Sequence, residues 1–442
     1  MPSTAIVWYR RDLRVHDHPA LATAAAEHDH VIPVFVSDPH FAGGRYASPR
    51  RTGYMRSALH ALDAQLQQLG SRLHFREGDP TAVIAQLADH TQADAVLFTT
   101  DVSPYARRRD QRVIATLGPR ARPQPGNHIA EIDRIATRSG DPYSVFSPFF
   151  RAWQQAPRRP IRRTPRALHT PTTLCKGQLA AGTHDDCAGE PHARAAAKRF
   201  LDGPAGSYAD RHDDLSGGTS QLSPHLRWGT ISPLALEHRA ANAGHDAFVR
   251  QLAWRDFYAH VLLHEIGSKR PDPTWDHDED HLRAWQEGRT GYPLVDAGMR
   301  QLAQTGWMHN RARLVTGSFL TKDLHLDWRL GEVHFAHHLL DGELAQNNGN
   351  WRWIASVGVD PAPPARRMFN PILQQRRFDP DGVYVRRWVP ELRGVPDDRL
   401  AEPWTMTDVE QHAAGCVIGR DYPAPIVDHL HERRRALALY AR

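Results

Sequence analysis

Gly218-Thr219-Ser220-Gln221-Leu222-Ser223-Pro224 places the hydroxyls of Thr219, Ser220 and Ser223 in one short run. With the neighbouring backbone N–H groups they can cradle a pyrophosphate without a glycine-rich turn, although the same run also suits an ordinary helix cap. A second group lies at Asp341-Gly342-Glu343 and Asn347-Asn348-Gly349-Asn350, flanked by Trp351 and Trp353. A neutral amide can donate as well as accept, yet an Asn-rich run with glycine also makes a plain turn. His334 and His338 are spaced i, i+4 with His337 beside them and could share a metal. No Glu stands in an HExxH position, so satisfied histidines and no metal are expected. The run from Asp276 to His281 reads as a solvated loop. Neither a GxGxxG nor a GxxxxGK[ST] run occurs, so no standard dinucleotide site or P-loop is indicated.

These groups need a scaffold. Apolar runs at Ala5–Tyr9, Val31–Val36 and Ala95–Phe98 alternate with helix-like stretches such as Tyr54 to Leu69, which Gly70 ends. The alternation predicts an α/β layer in residues 1–130, with βαβ units and a Rossmann-like, doubly wound parallel sheet. Pro157, Pro160, Pro165 and Pro171 then break any long helix, and residues 131–195 read as a surface connector. In residues 196–442 the patterns are helical. Pro293 suits a first helical position, Val295, Met299 and Leu302 share a face, and Gly306 can end that helix. An all-helical domain is expected there. Of the 12 tryptophans only Trp8 and Trp153 precede it.

A chain of 442 residues, 40% of them hydrophobic, can bury two cores without covalent staples. The net charge is +5 and almost all basic residues are arginine, which suits bidentate phosphate contacts but also follows from a GC-rich genome. Cys175, Cys187 and Cys416 form no CxxC pair, which argues against a disulfide framework and a zinc ribbon. The N-terminus leads directly into a strand-like run, and no stretch reaches ~18 apolar residues. A soluble, cytoplasmic monomer without an obligate protein partner or membrane association is expected.

Three stretches resemble signatures of the cryptochrome/photolyase family. The run from Ile6 to Asp17 is similar to the opening strand and turn of its α/β domain, and Gly218 to Leu226 to its flavin phosphate loop. The third stretch, Gly291 to Pro371, contains Gly306-Trp307-Met308-His309-Asn310-Arg311, Asp341-Gly342-Glu343-Leu344, Asn347 to Trp353 and Phe369-Asn370-Pro371. The likeness covers nearly the whole chain and is closest to class I cyclobutane pyrimidine dimer photolyases. It implies an α/β domain followed by a helical FAD-binding domain. It also implies a lyase in which light drives an electron from reduced FAD to a pyrimidine dimer flipped out of DNA.

Residue by residue, the resemblance implies FAD phosphate contacts from Tyr208, Thr219, Ser220, Gln221, Leu222 and Ser223. It implies an ion pair of Arg313 and Asp341 beside the isoalloxazine, with further contacts from Gly342, Glu343 and Asn347. A neutral amide at Asn347, next to N5, tolerates a reduced anionic flavin that an ionised Asp would repel. Trp275, Trp328 and Trp351 match the family's electron-transfer chain, which reduces the flavin and is separate from repair. Trp254 and Trp353 match the aromatic walls of the lesion pocket, and Asn310 a polar lesion contact. Arg211, Arg255, Arg311 and Gln374 match positions that contact the DNA strand.

Two positions depart from the class I pattern. Gln251 stands where those enzymes carry a Glu that hydrogen-bonds the dimer, and Leu314 replaces a Met. A Gln supplies neither proton nor charge, so DNA binding with a lowered or altered repair yield is expected. The Leu is nearly volume-conserving. Gln also resembles (6-4) photolyases, but these pair it with a histidine where this chain has Asn310. Asp101-Val102-Ser103-Pro104-Tyr105 lies near the family's antenna contacts, with Ser103 in place of a frequent acidic residue, and a deazaflavin is expected before a folate. The alternative is a cryptochrome-like blue-light photoreceptor without repair activity. Gln251 favours it, whereas Trp254, Trp353, Asn310 and a chain ending at Arg442 without a long tail disfavour it.

Overall fold

The computed structural model describes all residues except 1, 42, 172–173, 185, 268–270, 360–362, 364–366 and 441–442. Five parallel strands form one sheet in the order β3-β2-β1-β4-β5. They are β1 (Thr4–Tyr9), β2 (His30–Ser37), β3 (His74–Glu77), β4 (Ala95–Thr99) and β5 (Ala121–Gln124). With β1 central and the chain winding outward to each side, this is the doubly wound arrangement expected. Successive side chains of β1 enter different cores. Ala5, Val7 and Tyr9 pack with Leu59, Leu62 and Leu66 on one face, and Ile6 and Trp8 with Ile84 and Val113 on the other.

β3 and β5 fall outside the apolar runs that mark the other strands. Each has 4 residues and lies at a sheet edge, where polar side chains such as Arg76, Glu77 and Arg122 are tolerated. The helix expected from Tyr54 to Leu69 runs Pro49–Gln68. Ser48 caps it by accepting the Arg51 N–H at 3.3 Å, and Pro49 fits the first turn.

After the Phe146–Gln155 helix, no described helix begins until Glu190–Leu201. The proline-rich stretch between them satisfies backbone groups that the sheet and its helices leave open. Val31 N–H donates to the His169 carbonyl at 2.8 Å, Phe75 N–H to that of Lys176 at 2.8 Å, and Leu168 N–H to that of Leu69 at 2.6 Å.

Among the described residues no further strand follows β5. The chain divides into two compact units. The first comprises Met1–Tyr208, Thr219–Glu265 and Leu340–Gln346, and the second Ala209–Gly218, Ile266–Leu339 and Asn347–Arg442. The first therefore holds the sheet together with the helices Ser223–Trp228, Pro233–Asn242 and Asp246–Leu263. The second is built on Trp285, Val295, Met299, Leu302, Val315, Phe319 and Trp351. Its Pro293–Thr305 helix follows the expected pattern and ends at Gly306, which adopts the left-handed backbone that closes a helix (φ 72°).

Candidate functional site

In the first unit, the Ser223–Trp228 helix starts without a side-chain cap on its N-cap residue, Leu222, and carries Pro224 in its first turn. Leu222 is buried and anchors the loop, and its N–H donates to Ser220 Oγ at 3.3 Å. Gln221 is exposed and adopts left-handed backbone (φ 50°). Thr219, Ser220 and Ser223 are half-buried. Such a loop presents hydroxyl and N–H donors around an apolar anchor, a donor set that fits a diphosphate. Tyr208 is held edge-on between Phe200 and Phe248, each ring centroid at 5.6 Å.

The same unit contains a buried charge cluster. Arg11 bridges Asp101, at 3.2 Å, and Glu343, while Arg255 lies 3.9 Å from the other oxygen of Glu343. Burial alone would push the Glu343 carboxyl up, but Arg11, Arg255 and Arg227 hold it below the usual carboxylate range. Burial lowers the Arg227 guanidinium to about 9, and its Nε donates to the Gly342 carbonyl at 3.0 Å. Arg51, similarly lowered by burial to about 10, is supported by Asp341. Arg255, expected at the DNA strand, is turned inward instead. Its side chain is 10% exposed, and Nη1 donates to the Asn127 carbonyl at 2.8 Å. That placement favours a role in fixing Glu343 over phosphate contact.

Gln251 and Trp254 project from the Asp246–Leu263 helix, Gln251 exposed and Trp254 half-buried. Trp254 stacks on Phe146 with centroids 3.7 Å apart and planes 8° from parallel, and Arg250 covers Phe146 at 4.9 Å. Phe146 thus backs the expected lesion wall, a role that its own segment, Phe146-Ser147-Pro148-Phe149-Phe150, signals only as apolar content.

In the second unit, Asn347 donates from Nδ2 to the Glu332 carbonyl at 2.8 Å. That bond orients the amide and leaves its oxygen and second N–H for another partner. The donor set fits a flavin edge that gains negative charge on reduction. Arg313 donates from Nε to the Met308 carbonyl at 2.9 Å. Asp341, its expected partner, belongs to the first compact unit.

Asn310 opens the Asn310–Ser318 helix and is exposed. The cap is His309, whose Nδ1 accepts the Arg311 N–H at 3.1 Å. Burial holds this imidazole at about 4, so it remains neutral and can accept. Arg311 and Gln374, both expected at DNA, are hydrogen-bonded to each other at 3.3 Å, and Arg311 also pairs with Asp213. Arg211 is exposed and pairs with Asp214 at 2.8 Å.

The indoles expected to relay electrons all belong to this unit. Trp351 and Trp328 are buried and Trp275 half-buried. Trp351 packs against Phe335 at 5.0 Å and Trp285 at 6.2 Å. It also lies on the backbone of the Trp328–His338 helix at Gly331, where an added Cβ would come within 2.1 Å of the indole. Trp353 is held by Arg367, whose guanidinium lies 4.4 Å from its ring and donates to its carbonyl at 3.0 Å. The histidine pair is a packing feature: His338 Nδ1 bonds the His334 carbonyl at 2.9 Å, and His334 sits edge-on to Trp285 at 5.5 Å.

Residues 248–442 match the FAD binding domain of DNA photolyase, and residues 5–167 match the DNA photolyase family. The fold and these domains define a two-part flavoprotein of the photolyase and cryptochrome type. The chain belongs to the DNA photolyase family. It is 40% identical to the deoxyribodipyrimidine photo-lyase of Streptomyces griseus, covering 98% of each chain, and 34% identical to that of Escherichia coli, covering 99% of this chain and 98% of that one. A class III photolyase structure from Agrobacterium tumefaciens superposes with a TM-score of 0.92 at 36% identity, over 100% of this chain and 98% of that one. A Synechocystis cryptochrome gives 0.90 at 28% identity, over 99% of each.

Proposed function

We propose that this protein is a light-driven DNA-repair lyase that splits cyclobutane pyrimidine dimers. Full-length similarity to deoxyribodipyrimidine photo-lyases carries the reading, and the stacked wall of Phe146 and Trp254 supports it. When bound and reduced, FAD supplies the excited electron that breaks the dimer and receives it back. Thr219, Ser220, Ser223 and Tyr208 hold its diphosphate, and Asn347 orients toward the flavin edge. Trp254 and Trp353 form apolar walls for a flipped lesion, while Asn310 and Gln251 hydrogen-bond the pyrimidine edges. Arg211, Arg311 and Gln374 position the strand without reading sequence. Trp275, Trp328 and Trp351 carry electrons inward to restore the reduced state.

A second chromophore, a deazaflavin before a folate, is assigned to the α/β unit near Asp101 and Tyr105, whose hydroxyl donates to Asp38 at 2.6 Å. The protein acts as a cytoplasmic monomer. No described helix is long and apolar enough to cross a membrane.

Gln251 supports one competing reading, a photoreceptor without repair activity. The deciding experiment is repair of a defined dimer in single- and double-stranded DNA under blue light, with flavin fully reduced. Restored pyrimidines establish the lyase. Light-dependent association without repair establishes the receptor.

A further inference from the structure

We propose that Arg329 and Asp272 set how readily Trp328 gives up an electron, and thereby how quickly charge passes through this indole to Trp275. The inference rests on the reading of Trp275, Trp328 and Trp351 as a relay.

Trp328 opens the Trp328–His338 helix, and the preceding Asp327 caps it by accepting the Arg329 N–H at 2.9 Å. Asp327 then accepts from Arg329 Nη1 at 3.1 and 3.2 Å, while Nη2 is 2.7 Å from Asp272 Oδ2. Held by two carboxylates, the guanidinium lies 4.7 Å from the centre of the Trp328 ring. Arg352 is a further charged neighbour, which both Asp272 and Arg329 influence.

A cation over the face of a neutral indole is attracted to it. Once the indole loses an electron the same cation repels it, and weak screening around a ring only 5% exposed strengthens the effect. Among the described residues the Trp328 Nε1–H is buried without a hydrogen-bond partner, so none of them is placed to take its proton and the positive charge stays on the ring. Removing the Arg329 charge therefore stabilises the oxidised indole, and removing the Asp272 charge destabilises it, whatever the resting balance of the cluster.

The electron count is simple. Trp351 gives one electron to the excited flavin, Trp328 refills Trp351, Trp275 refills Trp328, and an external thiol refills Trp275. No bond between these groups changes; over two such passes two thiols each lose one electron and one proton, and the two sulfur radicals couple to a disulfide.

The test is polarised transient absorption on the flavin-loaded protein, which separates indole radicals by their orientation, applied to Arg329→Gln, Asp272→Asn and Trp328→Phe. The first two side chains are 44% and 29% exposed, so both variants are expected to fold. Arg329→Gln should lengthen the lifetime of the Trp328 radical several-fold, and Asp272→Asn should shorten it below that of the unaltered protein. Opposite shifts support a charge effect, because a merely structural role would move both the same way. No shift, or shifts in one direction, with Trp328→Phe still blocking photoreduction, overturns the proposal and leaves the relay standing. Normal photoreduction in Trp328→Phe overturns the relay and the proposal with it.

Discussion

Asn347 and Asn348 both bind Glu332, one through its backbone carbonyl at 2.8 Å and the other through its Oε1 at 3.0 Å. Two consecutive amides are thereby tied to one buried residue of the Trp328–His338 helix. Asn347→Asp cannot donate and turns a carboxylate oxygen toward that carbonyl, so a stability loss of about 0.5–1.5 kcal/mol is expected, read as a lower Tm. Redox titration should also show flavin that is harder to reduce, because a second negative charge opposes the reduced anion.

Gln251→Glu should raise the quantum yield of dimer repair several-fold, because a carboxyl group can supply the proton or charge that an amide lacks. Affinity for dimer-containing DNA should change little. Equal yields would mean that the position does not reach the lesion.

Phe146→Ala removes the ring on which Trp254 lies. Aromatic pairs of this kind contribute about 0.5–1.5 kcal/mol, so affinity for dimer-containing DNA should fall by up to about tenfold. Binding to undamaged DNA should stay the same. A parallel loss on both substrates would assign Phe146 to general folding.

Burial holds the imidazoles of His225, His260 and His309 at about 4. Their unfolded values lie near 6.5, so below that pH the unfolded chain takes up protons first and folding weakens. Stability should decline as pH falls from about 6.5 toward 4, by up to about 1.4 kcal/mol per pH unit for each histidine. Tm measured between pH 7 and 5 should drop, and His260→Gln should flatten the slope.

The parts of the fold that need continuous apolar runs were legible: β1, β2 and β4 are buried on both faces and so carry no polar alternation. β3 and β5, with one neighbouring strand each, leave no such mark. At the candidate site, Trp351 and Asn347 stand out only through the family pattern, since an indole in a core and an amide in a turn look ordinary by composition. Arg255 illustrates the limit. Its charge suggests phosphate, but only its contacts with Asn127 and Glu343 reveal that it serves the interior. Arg11 and Phe146 were hidden because their partners are distant in sequence. The compact units likewise depart from divisions at 130 and 195, because helices after the connector pack with the sheet.

The bare backbone at Gly331 sets a rule for anyone wishing to rewire this scaffold for light-harvesting devices or biosensors. The proposed relay packs against a position that carries no colour, charge or redox chemistry, and a library that varies only the indoles would overlook it. An alanine Cβ there would come 2.1 Å from the Trp351 ring, far inside van der Waals contact, so the ring or the helix would have to shift. Engineering the current path therefore means treating the empty space as one of its components.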